Sequence, residues 1–167
     1  MRRAALAFAL VALPASAQQT ARPSLPAPAR RPAFDIALEA AQAANAACAA
    51  QGTHTVALVV DAANAPVVLL SSDGAVAIAG DFALRKTAAV IQYKQSSGAV
   101  AARVAKDEAF AAEVKANPKI GFALAGALPM MAGSEQIGAI AVSGGSGPAG
   151  DEACAQAGLD KVKARLR

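Results

Sequence analysis

The sequence predicts an α+β domain built on an antiparallel sheet. Two β-branched apolar segments, Thr55–Val60 and Val67–Ser71, flank a short turn, which is typical of a β-hairpin. Helical segments then follow one another before the next strands begin, whereas a doubly wound parallel sheet would alternate strand and helix. A further strand candidate, Gln136–Val142, precedes a glycine-rich stretch and a closing helix at 151–164.

The remaining elements are predicted from their ends. The first helix, 35–51, ends at Gly52, since glycine favours helix termination. Asp81 is expected to cap a long helix that continues to about Arg103, with a break near Ser96. The other predicted elements are a short helix at 106–115, strands at 120–124 and 127–131, and a tight turn at Gly133-Ser134.

The first 33 residues are predicted to lie outside the folded domain, 34–167. Arg2 and Arg3 precede the apolar run 4–13, and Ala15-Ser16-Ala17 matches the cleavage site of an export signal, so residues 1–17 are interpreted as a signal peptide. The run has about half the residues that a membrane span needs. Cleavage near Ala17 and a periplasmic or secreted protein are expected; a retained membrane anchor is the less favoured alternative. The proline-rich stretch 18–33 predicts a mobile linker.

Composition excludes some functions and favours assembly. The net charge is +4, and the chain has one Tyr and no Trp, which argues against nucleic-acid binding through stacked bases. Alanine is abundant, and small side chains bury little area each. A symmetric homo-oligomer is therefore expected, with contacts through one side of the first helix, which carries Ala40, Ala43, Ala44 and Ala47.

The stretch Gly144–Gly150 is glycine-rich but does not match a phosphate-binding loop. Such a loop ends in Lys-Ser or Lys-Thr, whereas this one ends in Asp151-Glu152, whose charge suits a helix N-terminus. A flexible strand-to-helix connection is the favoured interpretation. His54 is the single histidine, so zinc sites that need several His or Cys ligands and a Ser-His-Asp triad are both disfavoured.

Cys48 and Cys154 are the only cysteines. They fall on the first and last predicted helices, which can be neighbours on one face of the sheet. An oxidising compartment would let a disulfide persist. Two small buried apolar residues remain an equal alternative.

The C-terminal third resembles the GlcG/HbpS family of small haem-binding proteins. The resemblance rests on the sequences IGAIAVSGG at 137–145 and DEACAQAGL at 151–159. Shorter similar segments are VVDA at 59–62, DG at 73–74, KTA at 86–88 and LP at 128–129. The chain departs from the family pattern where Ala63 and Asn64 replace turn glycines, where Ser72 replaces a methionine, and at Ala125-Gly126-Ala127, which interrupts a double glycine.

The resemblance implies a sheet of about five antiparallel strands with flanking helices, in a profilin-like layer arrangement, and a symmetric oligomer. It implies an exported protein that binds haem or another tetrapyrrole as a carrier, scavenger or sensor accessory. The alternatives are a haem-degrading enzyme and a non-catalytic accessory partner of a periplasmic system. A binding role is favoured over an enzymatic one, because no dedicated acid or base is recognised.

Five residues are candidates for holding such a ligand. His54 is a possible haem-iron ligand, although a histidine at a strand edge is usually only solvated. Met130 is an alternative soft ligand; because it is adjacent to Met131 on a strand, one of the two is expected to fill the core. Tyr93 and Lys94 could contact a haem face or propionate, or lie on an exposed helix surface. Thr87 is the remaining candidate.

Overall fold

A computed structural model describes residues 27–167 of the chain. The predicted signal peptide and most of the predicted linker lie outside these residues. The elements are α1 (Phe34–Ala49), β1 (Val56–Asp61), β2 (Pro66–Ser71), α2 (Ala79–Tyr93), α3 (Ser97–Val104), α4 (Glu108–Ala116), β3 (Ala127–Ala132), β4 (Glu135–Ser143), α5 (Pro148–Val162) and a 3₁₀ turn (Lys163–Arg165). Within the described residues, no helix is long and apolar enough to cross a membrane.

The sheet has four strands in the order β2-β1-β4-β3, and each neighbouring pair is antiparallel. The predicted hairpin is confirmed as β1 and β2, with Leu58 opposite Leu69. The α+β class is therefore confirmed, but the described residues form four strands and not about five.

The strand expected at 120–124 is wrong. Ile120 and Gly121 both donate backbone hydrogen bonds to Asn117 O, which closes a turn instead of pairing with a strand. Gly121 has a φ of 72°, a left-handed conformation that a strand does not contain.

The long helix predicted to reach Arg103 is two helices, with the expected break. α2 ends at Lys94, whose left-handed φ of 55° stops the helix, and the Ser96 Oγ caps α3 by accepting from Ala99 N at 3.1 Å. The prediction that Asp81 caps this helix is wrong. Ile78 occupies that position and Asp81 lies in the first turn, where its charge still favours the helix dipole.

Helices cover both faces of the sheet. α1 and α5 pack against Val59, Ile140 and Val142, whereas α2 packs against the opposite face, which carries Leu58 and Ala141. Apolar side chains alternate between the faces along β1, as a strand buried on both sides requires.

α1 and α5 approach each other closely because the residues between them are small. A side chain on Gly158 would lie 2.5 Å from Ala40 O and 2.9 Å from the Ala44 Cβ. Ala40 and Ala44 are thus buried within one chain. They were expected to form contacts between subunits, for which they are not available. Cys48 and Cys154 are disulfide-bonded and tie the same two helices together.

The last residues before α1 pack against the sheet. Arg30 O accepts a 2.9 Å hydrogen bond from Ala62 N, and the Arg30 side chain lies 3.3 Å from Glu135. Pro32 is buried. Residues of the predicted linker therefore belong to the packed domain, which does not start at Phe34.

A buried ion pair connects α2 to the N-terminus of α5. The Lys86 Nζ lies 2.7 Å from Asp151 Oδ2 and donates a second hydrogen bond to Val142 O at 2.9 Å. The other oxygen, Asp151 Oδ1, accepts from Gly145 N at 2.8 Å. Because both side chains are almost fully buried, each needs the other to compensate its charge.

We expect Lys86→Met to lower the free energy of unfolding by about 3–5 kcal/mol, since it leaves the Asp151 carboxylate buried without a counter-charge. Urea denaturation followed by circular dichroism measures the loss. Lys163→Met is the matched control, because Lys163 pairs with Asp160 in an exposed position and its removal should change stability little. Equal stability of the two variants would contradict the structural role of the buried pair.

Candidate functional site

A concave site lies on the outer face of α2. A cavity of about 430 Å³ is bounded by the β1–β2 turn, by α2 and by the segment after α4. A smaller cavity of about 110 Å³ continues it and shares Ala63, Asn64 and Lys119 with it. We call the two together the α2 groove. Its lining residues are Ala63, Asn64, Asp81, Leu84, Arg85, Ala88, Ile91, Gln92, Asn117, Pro118, Lys119 and Ile120.

The groove floor is an apolar stripe on α2. Leu84, Ala88 and Ile91 recur at spacings of four and three residues, so they lie on one side of the helix. The inward side of the same helix is fixed by the buried Lys86. The volume of the larger cavity falls in the range of roughly 300–1,000 Å³ that small-molecule sites occupy.

The β1–β2 turn forms one wall. Asp61 Oδ1 accepts from Ala63 N and Ala65 N, both at 2.8 Å, which fixes the turn. Asn64 is left-handed (φ 64°), and its Nδ2 lies 3.5 Å from Leu84 O. The Asn64 Oδ1 is buried and has no hydrogen-bond donor within residues 27–167.

Charged residues line the groove as well. Arg85 and Lys119 supply two positive charges, and Asp81 supplies one negative charge. Among the described residues, no carboxylate lies within 4.0 Å of either cation. The groove therefore combines an apolar floor with a net positive lining.

None of the five ligand candidates from the sequence lines the α2 groove. His54 is exposed just before β1, where a side chain on Gly74 would lie 3.3 Å from its ring, whereas the groove begins at the turn after β1. The six-residue strand places these ends roughly 17 Å apart. Thr87 is fully buried beneath the groove, where its hydroxyl donates to Leu84 O at 2.9 Å.

The two methionines alternate across β3, as expected. Met130 is fully buried between the sheet and the α1–α5 layer, so its sulfur is out of reach of a surface ligand. Met131 is 38% exposed and lines a separate cavity with Lys94. That cavity includes Gln136 but no residue of the α2 groove.

Tyr93 lies in a shallow depression that adjoins the groove through Gln92 and Lys119. Its ring packs edge-on against Phe110 at 4.9 Å between centroids, and its hydroxyl donates to Glu113 at 3.0 Å. Burial raises the pKa of Tyr93 above its ordinary value, and the bond and charge of Glu113 raise it further. The raised pKa of Tyr93 thus favours the neutral phenol, whose hydroxyl is engaged by Glu113.

In the glycine-rich loop before α5, a backbone N–H group that could bind an anion is already hydrogen-bonded within the chain. Gly145 N, which a phosphate would need, donates to Asp151. Glu152 Oε2 accepts from Gly98 N and Gly126 N, both at 3.1 Å. Both acidic residues of the closing signature thus hold backbone segments together. Within the described residues, no cluster of three His, Cys, Asp or Glu side chains is arranged to hold a metal ion.

The groove residues were missed by sequence reasoning. Asn64 was recognised only as part of a turn, and Arg85 and Lys119 belong to no motif. They meet because the β1–β2 turn and the segment after α4 both lie beside α2. No local pattern in the sequence reports that proximity.

The chain belongs to the family described as "Haem degrading protein HbpS-like", whose profile matches residues 33–160. The predicted family resemblance is thereby confirmed. A double mutant of HbpS from Streptomyces reticuli is 30% identical and has a TM-score of 0.73, covering 89% of this chain and 99% of its own. No curated protein matches the chain.

Two more distant structures share the fold. The protein ORFY from Klebsiella pneumoniae is 24% identical, with a TM-score of 0.72, and the match covers 87% of this chain and 98% of that one. A PduOC–haem complex is 18% identical, with a TM-score of 0.71, and the match covers 82% of this chain and 97% of that one. At these identities the likeness establishes the fold alone.

We expect the tyrosinate absorbance of the native protein to titrate above 10.0, the ordinary pKa, because burial and Glu113 favour the neutral phenol. The signal reports one residue, since the chain has a single Tyr and no Trp. Glu113→Gln should move the midpoint back towards the ordinary value. Glu108→Gln, on an exposed position of the same helix, should leave it unchanged. A native midpoint at or below the ordinary value would contradict the contact.

Proposed function

We propose that this protein binds haem and acts as a carrier, scavenger or sensor accessory. The observation that carries the proposal is family membership over residues 33–160, a span that contains every residue of the α2 groove. A family described by haem degradation must bind haem before it can degrade it. The proposal therefore needs only the first of those two steps.

The α2 groove is suited to a planar macrocycle with acidic substituents. Leu84, Ala88 and Ile91 would contact the ring, and Arg85 and Lys119 would face its carboxylates. Bound haem would supply a redox-active iron. The groove lining has no His, Cys, Met or Tyr, so the proposal assigns no protein side chain to the iron.

Haem degradation is the second candidate, and the family description favours it. Such an enzyme needs side chains that donate and accept protons near the iron. The groove offers one carboxylate, Asp81, and no histidine. This lining supports binding ahead of turnover.

We expect a titration of haem with the purified protein to shift and sharpen the Soret band, because the ring leaves water for an apolar groove. Absorption spectroscopy at constant haem measures the shift and its saturation. Leu84→Asp should weaken binding, since it places a charge under the ring. No spectral change with wild-type protein in excess would refute haem binding.

Two controls sharpen this titration. His54→Ala should leave the Soret band of the complex unchanged, because His54 lies at the other end of β1 from the groove. A reductant added to the complex separates the two candidate roles. An intact haem spectrum supports a carrier, whereas a bilin-like chromophore and released iron would replace it with the degrading enzyme.

We further infer that the protein is exported and assembles into a symmetric homo-oligomer. The disulfide supports an oxidising compartment. Assembly is supported by apolar side chains exposed beside the edge strand β2, namely Leu69, Val76 and Ile78, which are about half exposed or more. The alanines of α1 do not support it.

Native mass spectrometry of the secreted protein tests both inferences. The expected chain mass lacks residues 1–17, and the expected assembly mass is an integral multiple of it. Leu69→Glu should reduce the assembly to single chains, because it would place a charge in a desolvated contact. A retained N-terminus would disprove cleavage, and a wild-type monomer would disprove assembly.

A further inference from the structure

The geometry points to Arg85 and Lys119 as a carboxylate-binding subsite of the α2 groove, which makes the protein selective for tetrapyrroles that keep their propionates. This inference rests on the proposed haem binding and specifies how the ligand is oriented. The acidic edge of the ring lies towards the segment after α4, and the apolar body lies over the stripe of α2.

Arg85 is held in place by two neighbours on that segment. Its Nη1 donates to Ile120 O at 3.1 Å, and its guanidinium carbon lies 5.7 Å from the centre of the Phe122 ring. A side chain on Gly121 would come within 3.1 Å of the same nitrogen, so glycine there leaves space for the guanidinium. The carbonyl uses one of the five N–H donors of Arg85, and the others stay available to a ligand.

Lys119 provides the second charge from the same segment. Its backbone position is fixed, because Lys119 N donates a hydrogen bond to Asn117 Oδ1 at 3.0 Å. The side chain is exposed and lines both cavities of the α2 groove. A lysine at this place acts as a point charge, whereas an arginine can bind a carboxylate through two parallel hydrogen bonds.

Within the described residues, neither cation forms an ion pair, and both line the same groove. Asp81 is one helical turn before Arg85, yet it forms no ion pair with it. Charge complementarity therefore favours an anionic ligand at this end of the groove.

The opposite wall carries one unpaired acceptor within the described residues. Asn64 Oδ1 is buried and has no donor within the described residues. Buried polar atoms are nearly always hydrogen-bonded to protein, water or ligand. A water suits this oxygen, because haem with ionised propionates has no N–H or O–H donor; the orientation of the ligand follows from Arg85 and Lys119.

The experiment compares haem with haem dimethyl ester, whose propionates are neutral, by Soret titration. The wild-type protein should bind haem about tenfold more tightly than the diester, as expected for losing a charge-assisted hydrogen bond. Arg85→Gln and Lys119→Gln should each weaken haem binding and leave the diester unaffected. Asp81→Asn is the matched control and should bind haem as tightly as wild type or more tightly.

The outcomes separate this inference from the proposed function. The subsite is refuted, and haem binding stands, if wild type binds haem and the diester with equal affinity. The same conclusion follows if both Gln variants bind haem as tightly as wild type does. If wild type binds neither compound, both proposals fail. Lys119→Gln keeps the test decisive should Arg85→Gln not fold, because Lys119 is exposed.

Discussion

The buried contact between Lys86 and Asp151 fixes the relation of the two faces of the sheet. Lys86 belongs to α2 on one face, and Asp151 lies in the first turn of α5 on the other, yet their charges meet at 2.7 Å near the end of β4. A side chain on Gly126 would lie 2.6 Å from the Lys86 Nζ, so the loop before β3 must pass as bare backbone. Removal of either charge would leave the other without compensation in the protein interior. The helices, β4 and two loops therefore depend on one ion pair.

The same anchor determines which side of α2 is left for a ligand. With Lys86 and the fully buried Ala83 and Val90 facing the sheet, the neighbouring Leu84 and Arg85 must face outwards. The β1–β2 turn and the segment after α4 then enclose that outward face from two sides. The groove is thus a consequence of helix orientation, which the contact between Lys86 and Asp151 fixes.

The sequence predicts local elements well and distant contacts poorly. The β1–β2 hairpin and the break near Ser96 follow from residues next to each other in the chain, and both are confirmed. The segment 120–124 has the composition of a strand, but it forms a turn, because Gly121 is left-handed and the Asn117 carbonyl accepts hydrogen bonds from Ile120 and Gly121. Lys86 and Asp151 are 65 residues apart, so neither pattern nor spacing indicates their pairing. The groove was missed for the same reason, and attention went to residues with recognised chemistry, such as His54.

The residues that identify the family are largely those that hold its fold. Asp151 and Glu152 of the closing signature bind Lys86 and three backbone N–H groups, and Gly158 permits the close contact of α1 with α5. Asn64, by contrast, stands where the family resemblance has a turn glycine, and it lines the groove. A glycine there would offer the wall no side-chain acceptor. In this chain the side chains that line the groove are therefore separate from those of the ion pair that holds the fold.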